Sequence, residues 1–73
     1  MPRLVVKDTE LLKLLTKYFG FVAVRQKGSH VRLVDSKSHY VTIPIHNKEL
    51  KQGTLIAILN QAGLEKEDIL DYL

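Results

Sequence analysis

Val22-Ala23-Val24-Arg25-Gln26-Lys27-Gly28-Ser29-His30-Val31-Arg32-Leu33 reads as two short strands joined at a glycine turn. β-branched residues crowd both arms, and a tight hairpin wants positive φ where Gly28 falls. A two-residue turn at Lys27-Gly28 predicts Arg25 opposite His30, Val24 opposite Val31, Ala23 opposite Arg32 and Val22 opposite Leu33. Downstream, a three-residue loop, Ser36-Lys37-Ser38, leads into a third strand. It predicts Leu33 opposite Val41, Arg32 opposite Thr42, Val31 opposite Ile43 and His30 opposite Pro44. The predicted strands are residues 21 to 26, 29 to 35 and 39 to 45.

Side chains alternate along a strand, so this sheet sorts into two unlike faces. One gathers Val22, Val24, Val31, Leu33, Val41, Ile43 and Ile45; the other gathers Arg25, His30, Arg32, Tyr40, Thr42 and His46. The apolar face needs a cover, and the flanking segments supply it. Residues 1 to 7, with Pro2 opposing an early helix, read as an extended lead-in. From Asp8, a suitable cap, Leu11, Leu12, Leu15, Tyr18 and Phe19 recur at helical spacing until Gly20 stops them. Thr54 opens a second helix with an apolar stripe of Leu55, Ile56, Ile58, Leu59 and Ala62, ending at Gly63. A short third helix over 66–72 carries Glu67 and Asp68 where acidic groups suit the dipole, and packs through Ile69, Leu70 and Leu73. The predicted fold is α+β in the order α-β-β-β-α-α, a three-stranded antiparallel sheet with helices on one face.

At 73 residues the chain is read as one domain with a thin core. With no cysteine, neither disulfides nor thiolate metal sites are available, and cytoplasm is the expected compartment. No apolar run approaches the roughly 20 residues of a membrane span. The net charge of +3 is unevenly spread, since residues 25 to 51 carry +4 and residues 54 to 73 carry −3. A basic middle and an acidic end fit a surface that meets a polyanion.

The strand and helix order resembles the double-stranded RNA-binding fold, which reads nucleic acid by shape, phosphates and 2′-hydroxyls. Arg25-Gln26-Lys27-Gly28-Ser29-His30, Val41-Thr42-Ile43-Pro44-Ile45-His46, Lys48-Glu49-Leu50-Lys51-Gln52-Gly53-Thr54-Leu55 and Leu59-Asn60-Gln61-Ala62-Gly63, in this order, resemble the HicA family of toxins. That resemblance covers nearly the whole chain. It implies an mRNA interferase of a toxin-antitoxin system, neutralised by a HicB-type antitoxin, using the histidine of the Gly-Ser-His turn, which is His30 here.

The residues support this chemistry in their own right. Cleaving RNA through its own 2′-hydroxyl needs a base for that hydroxyl, an acid for the leaving 5′-oxygen, and cations for the charge gathering on phosphorus. Histidine suits either proton step because its ordinary pKa lies near neutrality. Arg25 and Arg32 flank His30 and can each grip two phosphate oxygens. Lys27, Lys48 and Lys51 are candidate backbone contacts, with Gly28 and Ser29 shaping the turn or meeting phosphate. His46 is a candidate second proton-transfer group, while His39 reads as surface and Tyr40 as filling space beside Arg32. No cofactor and no metal are expected, because the histidines lack helical i, i+4 pairing and the carboxylates cluster near the C-terminus. Two other readings use the same residues: a non-catalytic RNA-binding module on the basic face, and a protein-interaction domain completed by a partner.

Overall fold

Leu11, Leu14 and Leu15 lay one buried stripe along α1 (Asp8–Tyr18) in a computed structural model that describes residues 3–73. Leu14 belongs to that stripe although the spacing did not single it out. Tyr18, expected in it, stands half-exposed. The chain continues as β1 (Val22–Lys27), β2 (His30–Val34), β3 (Tyr40–Pro44), α2 (Gln52–Ala62) and α3 (Lys66–Leu70). The strands form one antiparallel sheet in the order β1-β2-β3, the α-β-β-β-α-α arrangement expected from the sequence. α2 opens two residues before Thr54, and α3 is shorter than 66–72. No helix is long and apolar enough to cross a membrane among the described residues.

β2 and β3 pair as the sequence implied, with His30 opposite Pro44, Val31 opposite Ile43, Arg32 opposite Thr42 and Leu33 opposite Val41. β1 does not. Its turn is Gly28-Ser29, so Lys27 rather than Arg25 faces His30, and Arg25 faces Arg32. Gly28 has φ +58° and Ser29 lacks a positive φ, the pattern of a II′ hairpin, which places glycine first in the turn rather than second. Moving the pairing by two positions keeps Arg25 on the same face. A bulge at Val24 then shifts it by one and reverses the faces of what precedes: Ala23 lies opposite Leu33, and Val22 opposite Val34 on the open side. Val22 and Val24, expected in the core, are therefore 61 % and 54 % exposed. The helices pack chiefly against β3, leaving β1 beyond their cover.

The core joins Val6, Leu11, Phe21, Val31, Leu33 and Ile43 with Leu50, Leu55, Leu59 and Ile69, among others. Ile45 is only partly buried, and Ile56, Leu70 and Leu73 are exposed rather than packed. The outer edge of β3 is guarded twice. Thr42 N–H donates to Gln61 Oε1 at 3.2 Å, and Pro44 offers no N–H for another strand to use.

Within the described residues the lead-in is extended, as expected; Pro2 lies outside them. It pairs with the segment before α2: Asp8 N–H donates to the Lys48 carbonyl at 3.1 Å and Leu50 N–H to the Val6 carbonyl at 2.9 Å. Asp8 is not the helix cap read from sequence. It is the first helical residue, 1 % exposed, and its Oδ2 accepts from the His46 amide at 2.6 Å and the Lys48 amide at 3.4 Å. Its Oδ1 takes the Thr9 amide at 2.6 Å. Burial pushes this carboxyl up, but the backbone N–H groups of His46, Thr9, Lys48 and Asn47 outweigh it and hold the pKa below its ordinary value.

His39, read as surface, is partly exposed but held in place. Its Nδ1 lies 2.7 Å from Asp35 Oδ2, and its ring lies over Gly63. Burial raises the Asp35 carboxyl, but hydrogen bonds from the His39 ring and from the His39 and Lys37 amides more than reverse this, leaving the pKa lowered. Gly63 ends α2 at φ +72°, and a Cβ there would fall 2.7 Å from His39 Nε2. Gly63→Ala is expected to destabilise the fold by about 1–3 kcal/mol through backbone strain and displacement of His39. Gly53→Ala, with open space and no positive φ, should instead be neutral or stabilise by up to about 1 kcal/mol. Thermal melts of the two variants should move apart.

Candidate functional site

The β1-β2 hairpin sets cations on adjacent rungs of the open face. Arg25 pairs across with Arg32, and Lys27 pairs with His30, so each rung joins two basic side chains. Together with Thr42 from β3, these four line a concavity of about 510 Å³. Arg25, Lys27, His30 and Arg32 are exposed, and among the described residues none of them is in an ion pair with a carboxylate.

Like charges placed directly opposite one another oppose pairing of the strands. Nothing acidic on the sheet relieves the two guanidiniums, so an anion arriving from outside would stabilise the arrangement. Removing one of them should relieve the repulsion: Arg32→Gln is expected to leave stability unchanged or raise it by about 0.2–1 kcal/mol, measured by chemical denaturation.

The turn holds His30 at the start of β2. Gln26 Nε2 donates to the Gly28 carbonyl at 3.3 Å, and the Ser29 carbonyl accepts from the Ile45 amide, tying the hairpin tip to β3. Ser29 is half-buried as a result, and Gly28 is exposed. Gln26, not singled out from sequence, is thus a brace for the turn, and its place next to Lys27-Gly28 was the available signal.

His46, Lys48 and Lys51 line a separate, smaller hollow of about 250 Å³ with Asp8, Pro44 and Thr54. Pro44 faces His30 across β2-β3, so the two hollows adjoin there. Lys51 precedes α2 without a side-chain cap, and the first turn of that helix has no acidic residue, so its amide dipoles are uncompensated. The structure therefore unites Arg25, Lys27, His30 and Arg32, and sets His46, Lys48 and Lys51 beside them rather than among them. Tyr40 does not fill space beside Arg32 but stands 65 % exposed opposite Val34. Among the described residues no three His, Cys, Asp or Glu side chains gather as metal ligands.

No curated protein matches the chain in a sequence search. The family described as the HicA toxin of bacterial toxin-antitoxin systems matches residues 9–64, a span that takes in α1 after Asp8, the whole sheet, the basic hollow and α2. With that span covering most of its length, the chain belongs to the HicA toxin family.

Proposed function

We propose that this chain is a metal-independent endoribonuclease that cleaves mRNA in the cytoplasm and is silenced by a HicB-type antitoxin. One observation carries the reading: an exposed imidazole shares a hollow with three cations that have no acidic partner among the described residues. A phosphodiester supplies the missing negative charge. Arg25 and Arg32 grip its non-bridging oxygens, and Lys27 meets a neighbouring phosphate. The 2′-hydroxyl loses its proton, O2′ bonds to phosphorus, and the bond to O5′ breaks as that oxygen gains a proton. The products are a 2′,3′-cyclic phosphate and a 5′-hydroxyl. His30 carries out one of these proton transfers. The second belongs to His46, across Pro44, or to water.

Membership of a toxin-antitoxin family implies an antitoxin partner. The simplest silencing places its acidic groups against Arg25 and Arg32 and covers His30. A second reading, an RNA-binding module without catalysis, draws on the presence of one histidine in the hollow. Incubating the purified chain with single-stranded RNA in excess EDTA distinguishes these. Fragments with cyclic-phosphate ends, and none from a 2′-O-methyl strand, are expected. RNA held in a salt-sensitive way but left uncut would favour the module, and no retention would favour a protein-interaction domain.

A further inference from the structure

We propose that the outer face of α1 is the far end of a single-stranded RNA track that begins at His30, an inference that rests on the RNA-cleaving reading above. The largest of the three hollows that bear on it, about 580 Å³, lies along α1. Lys7, Lys13 and Lys17 line it, together with Tyr18 and Tyr72. The two tyrosine rings lie 4.5 Å apart, centroid to centroid, yet are 49 % and 45 % exposed. Lys17 Nζ sits 5.3 Å from the Tyr18 ring. The one acid in the lining, Glu10, accepts from the Lys7 backbone amide at 3.3 Å. Among the described residues none of the three lysines is in an ion pair.

Lysines alone are ordinary solvated charge. Lysines set among half-exposed aromatic rings match the plan of sequence-tolerant single-strand binders, with phosphates on the cations and bases against the part of each ring its neighbours leave exposed. Continuity with the site sets this patch apart. From His30 the path crosses Pro44 into the hollow of His46, Lys48 and Lys51. Glu49, in the wall of that hollow, is joined by a backbone β-bridge to Lys7, which opens the α1 hollow. Basic groups therefore recur from the open sheet face to α1, and the two acids beside them in the middle hollow are already engaged, Asp8 by backbone amides and Glu49 by Arg3. The body is only 18 Å through its short axis. A duplex, stiff over many helical turns, cannot follow such a bend, whereas a single strand can.

Lys13→Gln/Lys17→Gln, both exposed and remote from His30, tests the track in the full-length chain. Cleavage of a tetranucleotide should be unchanged. In a His30→Ala background, affinity for a 12-nucleotide single strand should fall on the order of 10-fold, with the salt slope reduced by about 1.4 for two lost phosphate contacts. With Tyr40→Phe added so that only Tyr18 and Tyr72 report, tyrosine fluorescence should be quenched by the 12-mer and not by the tetramer. Unchanged 12-mer affinity, or no added quenching, overturns the track and leaves the nuclease intact. Absence of both cleavage and RNA binding in the parent overturns the two together.

Discussion

Replacing His30 with alanine is expected to lower RNA cleavage by about 10² to 10⁴-fold, the usual worth of a positioned acid or base, without weakening the fold. The imidazole is exposed, begins a strand and makes no side-chain hydrogen bond among the described residues, so its loss opens no cavity and strands no partner. Arg25, Lys27 and Arg32 stay in place, so RNA affinity should change by less than about threefold. Cleavage should therefore collapse in turnover rather than in binding. His39→Ala is the control of opposite character: it should lower the melting temperature, because it removes the partner of Asp35, while leaving cleavage by the folded fraction intact. Cleavage by His30→Ala within a few-fold of the parent, at equal folded fraction, would remove His30 from the mechanism.

Placing the turn at Lys27-Gly28 moves β1 by two positions against β2, and a shift of two preserves the face of every side chain. Arg25 accordingly stayed with His30 and Arg32 even though its partner was wrong. The bulge at Val24 is different. It shifts parity by one, and nothing in Val22-Ala23-Val24 marks it, so the exposure of Val22 and Val24 was not legible. The exposure of β1 was equally hidden, since it depends on where the helices sit and not on the strand. β2 and β3 were readable because Asp35 is a natural loop anchor, and its Oδ1 does accept the Lys37 and His39 amides. The same aspartate four residues before His39 was the signal that this histidine is held. The basic hollow was largely visible from the sequence. The division between His30 and the group of His46, Lys48 and Lys51 was not, because Pro44 and the loop after it decide it.

Asp8 gives the largest expected effect on stability. Sequence alone cannot tell an acid that caps its own helix from one that fastens a loop 38 residues away, as Asp8 does with His46. Among the described residues no cation pairs with this carboxylate, and backbone N–H groups compensate its burial. Asp8→Asn keeps the shape but sets an NH₂ group against amide donors. The expected loss is about 2–4 kcal/mol. Against a total of roughly 4–11 kcal/mol for a chain this size, that is a large share, and the melting temperature should fall by about 10–20 °C. The pH dependence provides a second, independent readout. The Asp8 pKa is lower folded than unfolded, so its contribution is complete above the ordinary carboxyl value of 3.8 and is lost as pH falls through the folded value. The parent should melt at a level temperature above about pH 5 and drop steeply below that ordinary value. Asp8→Asn should start lower and fall less steeply, with Asp35 supplying the acid dependence that remains. An unchanged melting temperature, or an acid limb as steep as the parent's, would show that the carboxylate is dispensable. If both changes appear, the 46–48 segment should also loosen, and with it the placement of His46 and Lys48 beside the basic hollow. Asp8→Asn should then weaken RNA retention at a distance from His30, while Arg32→Gln weakens it with the fold undisturbed.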